Sequence, residues 1–264
     1  MKNIKEITPK ELGALKAITF DIDGVIIPTG TELRENVDGT ELYMKSKQLS
    51  RQFLENLKEL KKYLKINFSS GRNLLYLKSL VNEIFDESVF LQAENGNLNW
   101  FGGEVTHPSY SVSYFQKLKL IREQIKKMIA QGDKRIRGFE PKMFILTLHS
   151  DQMEEIPNLV REVDPEGELY CLWTNEGYDV GSKTMSKGRG IEKLAQHLHI
   201  HPKEIMTTGN NYNDAEMLQV GTGVTVQPDR VKAEYFIEYQ PGQLGGEVLT
   251  EFLLEYYRRR EGKT

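Results

Sequence analysis

Residues 17–27 form an apolar, β-branched run that reads as a buried strand ending in a polar turn, and residues 64–69 and 89–93 read as further strands. Between them apolar residues recur at helical spacing: Leu49, Phe53, Leu54, Leu57 and Leu60 within residues 46–63, and then residues 74–84. A strand covered on both faces reads as a continuous apolar run, and strand–helix alternation is the pattern of a parallel, doubly wound sheet. The alternation returns near the C-terminus, with a helix over 188–198, a strand over 204–208, a helix opening at 214–218, a strand over 222–226 and a helix over 248–259. The middle differs. Residues 114–129 predict a helix with a Lys/Arg-rich face, 143–148 a strand and 152–163 a helix. Residues 170–173 and 178–180 predict strands around the turn Asn175-Glu176-Gly177. The expected architecture is an α/β core with a doubly wound, mostly parallel sheet, formed by residues 1–103 plus 183–264, and an inserted α+β domain over 104–182. Within residues 28–45, Asn36-Val37-Asp38-Gly39 ends in a strong hairpin signal between strands at 31–34 and 40–44.

The composition excludes several classes. The 264 residues carry a net charge of −3, without the basic excess of a dedicated nucleic-acid binder. Residues 1–15 are charged throughout, unlike a signal peptide, and no apolar stretch approaches the ~20 residues of a membrane helix. The single cysteine, Cys171, forms no internal disulfide and sits in the apolar run Tyr170-Cys171-Leu172-Trp173, where packing is its expected role. These features fit a soluble, cytoplasmic chain that works without membrane or nucleic acid. His197, His199 and His201 alternate near a helix end, where i, i+2 residues do not share a face, and they are read as a solvated terminus rather than a metal cluster.

Four polar clusters follow strands or open helices. Asp21-Ile22-Asp23-Gly24 ends the first strand; side chains at i and i+2 of a strand face one way, so two carboxylates converge, and close carboxylates call for a cation or proton. Ser69-Ser70-Gly71-Arg72 supplies hydroxyls and a guanidinium suited to phosphate, with either serine able to make the contact. Lys187, in Met185-Ser186-Lys187-Gly188, opens a helix, with Lys183 as its competitor. Gly209-Asn210-Asn211-Tyr212-Asn213-Asp214 follows the strand at 204–208. In open α/β sheets such strand ends meet at one crevice.

Together, and in this order, the clusters resemble the four motifs of the haloacid dehalogenase superfamily. The insertion is similar to the type-2 cap of its Cof-like, sugar-phosphatase branch (class IIB). Glu94-Asn95-Gly96, Asn213-Asp214-Ala215-Glu216-Met217-Leu218 and Gly245-Gly246-Glu247-Val248 match that branch as well. The resemblance covers residues 18–249 and implies a Mg²⁺-dependent phosphatase acting on a small phosphorylated metabolite, a sugar phosphate or phosphoglycerate derivative. It implies a catalytic set of Asp21 as nucleophile, Asp23 as acid and base, Ser70 and Lys187. It implies phosphate or substrate contacts from Ser70, Gly71, Arg72, Asn95, Lys187 and Asn213, and metal ligation by Asp21, Asp23, Asn210 and Asp214. Cap residues Arg135, Arg137 and Lys142, and Lys183 at its edge, are candidates for a second substrate group. A phosphomutase uses the same Asp-x-Asp chemistry and stays open as an alternative. One departure stands out: where the family carries Gly-Asp, this chain has Gly209-Asn210. The site loses a negative charge there, which implies weaker Mg²⁺ binding and leaves a weakened, phosphosugar-binding regulatory protein as a further alternative. Either a monomer or a homodimer fits.

Overall fold

The structure, a computed structural model, describes residues 1–36, 38–174 and 176–262. Val37 and Asn175, each expected in a turn, lie outside the described residues. The chain opens with β1 (Lys2–Asn3), α1 (Pro9–Ala14), β2 (Ala17–Phe20), β3 (Glu32–Glu35), β4 (Leu42–Lys45), α2 (Arg51–Leu60), β5 (Lys65–Ser69), α3 (Leu74–Leu80) and β6 (Val89–Ala93). There follow β7 (Leu98–Phe101), β8 (Glu104–Thr106), α4 (Val112–Ala130), β9 (Ile136–Glu140), β10 (Leu146–Ser150), α5 (Glu155–Val163), β11 (Leu169–Trp173) and β12 (Gly177–Ser182). The last part comprises α6 (Lys187–Leu198), β13 (Ile205–Gly209), α7 (Ala215–Val220), β14 (Thr222–Thr225), β15 (Tyr235–Phe236) and α8 (Gly245–Glu261). The chain divides into two compact units, one of residues 1–30, 47–107 and 186–264, the other of residues 31–46 and 108–185.

In the first unit the described strands form one sheet in the order β1-β15-β14-β13-β2-β5-β6-β7-β8. It is parallel from β1 to β6, and β7 and β8 add antiparallel strands at one edge. β2 lies at its heart, all four residues fully buried between β13 and β5. Phe20 packs edge-on against Phe53 of α2 and stacks beside Phe68 of β5, and each such buried side chain stabilises the fold by roughly 1.5–3 kcal/mol. α2 begins where Ser50 Oγ accepts the Phe53 N–H at 3.1 Å, a cap contributing about 1 kcal/mol. β5 and β6 extend the sheet to one side of β2, and β13 and β14 to the other. The chain direction therefore reverses at β2, and the crevice at the carboxyl ends is the place for a site.

The apolar run 17–27 does not stay extended. β2 stops at Phe20, and the Ile22 carbonyl then accepts N–H groups from Val25, Ile26 and Ile27, coiling the chain back. Gly24, at φ +78°, allows the reversal and donates its N–H to the Ile27 carbonyl at 2.7 Å. The hydrophobicity of this segment serves a buried turn, because Ile22, Val25, Ile26 and Ile27 are all fully buried.

The second unit is an antiparallel sheet ordered β11-β12-β10-β9-β3-β4, with Phe139, Leu148 and Val180 packed against Ile121 and Ile125 of α4 and Ile156 of α5. Residues 31–46, read above with the core, belong here, because β3 pairs with β9 through Glu35 and Phe139. β9 escaped the sequence reading because Ile136-Arg137-Gly138-Phe139-Glu140 interrupts its apolar residues with charges and a glycine. That glycine has a local cause: φ is +131°, and an added Cβ would lie 2.8 Å from the Glu35 carbonyl oxygen. Cys171 is half-buried in this unit, and burial pushes its thiol up to about 12, as expected of a packing cysteine. Among the described residues no helix is long and apolar enough to cross a membrane. Substituting Gly138→Ala should strain β9 and push it from β3, lowering unfolding free energy by about 1–3 kcal/mol in urea titrations. An unchanged midpoint would contradict the close approach.

Candidate active site

The sequence clusters meet at the carboxyl ends of β2, β5 and β13 and the start of α6, all in the first unit. Asp21 follows β2 directly, and its N–H donates to the Thr208 carbonyl at 2.9 Å, continuing the ladder to β13. Its side chain turns to Lys187, the first residue of α6. Lys187 Nζ donates to Asp21 Oδ1 and to Asp214 Oδ1, both at 2.6 Å, and the lysine is 1% exposed. Ser186 caps α6 by accepting the Arg189 N–H at 3.2 Å, which sets where the lysine emerges. Gly188 lets α6 approach α7, because a Cβ there would lie 2.7 Å from Glu216 Cβ.

Asp214 ties the last cluster together. Its Oδ2 accepts the N–H groups of Asn210 and Asn211 at 2.9 and 3.0 Å, while Oδ1 accepts Lys187. A Cβ at Gly209 would stand 2.5 Å from Asp214 Cβ, so glycine is required for this loop. Both carboxylate oxygens of Asp214, read above as a metal ligand, are thus engaged with donors of the chain itself. Burial disfavours every charge here. It pushes the Asp21 carboxyl up to about 7, assisted by the Asp214 charge and opposed by Lys187. Burial also disfavours the Lys187 ammonium, but the two carboxylates outweigh it and raise its proton affinity.

Asp23 takes a different partner. Arg72 forks onto it, Nε to Oδ2 at 3.0 Å and Nη2 to Oδ1 at 3.3 Å. Arg72 was expected on phosphate; here its guanidinium holds the second aspartate. Ser70 is 3% exposed, accepts the Arg72 N–H at 3.2 Å through Oγ, and keeps its own hydroxyl hydrogen to donate. Its competitor Ser69 is fully buried in β5. Gly71 lies in the bend between Ser70 and Arg72. Asn95 follows β6 with φ +56°, and its Oδ1 faces Asn213 Nδ2 at 3.4 Å, so these two sequence-distant asparagines meet.

Asn210 donates from Nδ2 to the Asp23 backbone carbonyl at 3.0 Å. A Cβ at Gly24 would lie 2.4 Å from the same nitrogen, so the amide is seated closely on the Asp21–Gly24 turn. With its amide turned about Cβ–Cγ, Asn210 would set Oδ1 against the Asp23 carbonyl. Two facing oxygens repel unless a hard cation lies between them, and Mg²⁺ takes such oxygen donors. Asp21, the Asp23 carbonyl and Asn210 therefore fit Mg²⁺ once the amide turns, at the cost of one hydrogen bond and with one carboxylate fewer than an aspartate would give. Among the described residues no group of three histidine, cysteine or acidic side chains is arranged to hold a metal.

A polar layer beneath the site was not foreseen. Asn67 Nδ2 donates to Thr19 Oγ1 and Gln92 Oε1 at 3.0 and 2.9 Å, and Gln92 Nε2 donates to Asn99 Oδ1 and the Gly190 carbonyl at 3.1 and 2.5 Å. The network ties β2, β5, β6 and β7 to α6. Its one signal in sequence is the pair of amides interrupting otherwise apolar strand runs. In the second unit, Arg135 is bound by Asp133 and Glu155, Arg137 by Asp151, and Lys183 by the Gly167 carbonyl. Lys142 is buried beside Thr147, Glu140 and Asp179.

A doubly wound sheet thus carries paired acids after its first core strand, a buried lysine at a helix start and an asparagine-rich loop after a later strand. Residues 123–233 match the haloacid dehalogenase-like hydrolase family. That match spans less than half of the chain, and the solved structures that the chain resembles share its fold. It is 25% identical over 174 residues to a phosphoglycolate phosphatase of Methanopyrus kandleri, covering 64% of this chain and 72% of that protein. Its fold is similar to a subclass IIB sugar phosphatase (TM-score 0.62, 19% identity, 91% of this chain and all of the other). It is also similar to a phosphatase of the same superfamily from Bacteroides thetaiotaomicron (TM-score 0.63, 17% identity, 96% and 98%).

Because Asp21 is raised from 3.8 to about 7 in the folded chain, its ionised form is destabilising. The penalty is absent below about pH 4 and grows until about pH 7. Between about pH 4 and pH 7 the stability of the parent should therefore fall relative to that of Asp21→Asn, read from unfolding midpoints at each pH. A pH-independent difference between variant and parent would count against the buried carboxylate.

Proposed function

We propose that this chain hydrolyses the phosphate monoester of a small metabolite, a sugar phosphate or phosphoglycerate-like compound, through a phosphoaspartyl intermediate. The observation that carries the reading is Asp21, held by a buried lysine at the end of β2 with Asp23 two residues on. The named activities of the Methanopyrus relative and the subclass IIB neighbour support the substrate class.

An Asp21 carboxylate oxygen forms the bond to phosphorus as the ester P–O bond breaks, and the leaving alkoxide takes its proton from Asp23. Asp23, now a carboxylate, takes a proton from water; the water oxygen attacks phosphorus, the Asp21–phosphorus bond breaks and inorganic phosphate leaves. Lys187 stabilises ionised Asp21 and the charge that develops on the phosphoryl oxygens. Ser70 donates its hydroxyl to a phosphoryl oxygen. Arg72 orients Asp23 through its two hydrogen bonds. Asn95 and Asn213 orient the substrate. Mg²⁺, held by Asp21, the Asp23 carbonyl and a turned Asn210, would offset the repulsion between attacking carboxylate and phosphate. Asp214 acts by fixing Lys187 and the loop backbone.

The hydrogen bond from Asn210 to the Asp23 carbonyl favours one second reading, a protein that binds phosphosugar and turns it over slowly. Phosphate release from a panel of phosphorylated metabolites separates the two. Asp21→Asn should lower the rate by about 10³-fold or more. Asn210→Asp restores a carboxylate, so its calorimetric Mg²⁺ affinity should rise about tenfold or more. Turnover by this chain supports the phosphatase; turnover by Asn210→Asp alone supports the binding protein; no turnover by either rejects hydrolysis.

A further inference from the structure

β4 is the outer strand of the second unit's sheet, and its side chains are exposed on both faces. Leu42, Tyr43 and Met44 are 60, 46 and 57% exposed. Sheet edges offer unpaired backbone groups, and proteins usually blunt them with charge, proline or a bulge. Here the strand's own centre is apolar, with the Arg34 guanidinium of β3 5.3 Å from the centroid of the Tyr43 ring, and charge within the strand stands only at its ends, Glu41 before it and Lys45 at its close.

The direction of the outward backbone groups follows from the inner partner. The Asn36 N–H donates to the Glu41 carbonyl at 3.1 Å, and the β3–β4 register continues with Glu35 opposite Leu42 and Arg34 opposite Tyr43. Bonded and non-bonded pairs alternate in an antiparallel ladder. Glu41, Tyr43 and Lys45 therefore turn their N–H and C=O groups to β3, and Leu42 and Met44 turn theirs outward.

We propose that β4 is a self-association edge, pairing antiparallel with β4 of a second copy of this chain across a twofold axis at Tyr43. In that register Leu42 of each copy stands opposite Met44 of the other, and their outward groups complete four backbone hydrogen bonds. Tyr43 meets its counterpart at a non-bonded position, where side chains come closest. Glu41 falls opposite Lys45 at both ends. Partners in an antiparallel pair share a face, so the apolar pairs and the charged pairs are each brought together. The charge order Glu-Leu-Tyr-Met-Lys is complementary to itself read backwards, which favours a second copy over an unrelated strand.

A short edge of this kind belongs to the small, weak class of interfaces, and association is expected at about 10–100 μM. Sedimentation velocity of the full chain over a concentration series reads it directly. Glu41→Lys sets lysine opposite lysine twice and should weaken association about tenfold. The exchanged pair, Glu41→Lys with Lys45→Glu, restores complementarity and should recover it. Tyr43→Cys, in a Cys171→Ser background, should form an intermolecular disulfide on mild oxidation, because its Cα atoms face each other at bridging distance; Leu42→Cys should not. A chain that stays monomeric to about 1 mM, an exchange that fails to recover, or equal cross-linking at positions 42 and 43 overturns the proposal and leaves the edge to a different partner.

Discussion

A buried ammonium between two carboxylates organises the first unit. Taking Lys187 out of water costs several kcal/mol, and such a charge persists only with close, well-aimed partners. Asp21 and Asp214 supply them from β2 and from the loop after β13, and their combined charge outweighs the effect of burial on the lysine. The demands of this ion spread outward. Ser186 must start α6 where the lysine emerges, Gly188 must admit α7, and Gly209 must leave room for Asp214. The same burial makes Asp21 reluctant to ionise, which is a cost to stability.

Asn210 shows how a single atom changes what a turn can offer. An aspartate there would face the Asp23 carbonyl with oxygen and require a cation between them. The carboxamide closes the gap with its own N–H, so the turn is satisfied by the chain alone. Cation binding then competes with an existing hydrogen bond. Arg72 plays a comparable part at Asp23, which it holds with two hydrogen bonds. Both contacts make the site self-complementary, and under the proposed function a bound phosphate ester would have to compete with them.

The strand–helix alternation and the four polar clusters were legible because their causes are local. The mostly apolar runs at 64–69 and 89–93 became β5 and β6, the helical spacing of Leu49 to Leu60 became α2, and Lys187 opened α6 as its motif implied. The run 17–27 read as a strand ending in a turn and became β2 and the turn after it, whose apolar residues are buried as fully as those of the strand. β9 was hidden because its glycine answers to the Glu35 carbonyl, which is remote in sequence. Residues 31–46 were placed with the core by chain order, whereas pairing with β9 assigns them to the other unit.

By itself the sequence determined the order of elements and the polar residues that gather at the strand ends, since these follow from periodicity and from clusters placed after apolar runs, and its motifs carried the resemblance to a superfamily. Tertiary structure decided which partner each polar group takes. That Asp214 serves Lys187 and two backbone amides, that Arg72 holds Asp23, and that Asn210 bonds to a carbonyl 187 positions away depend on distances between segments far apart in the chain. A hydrogen bond is made or lost over a few tenths of an ångström, and only packing sets separations that finely.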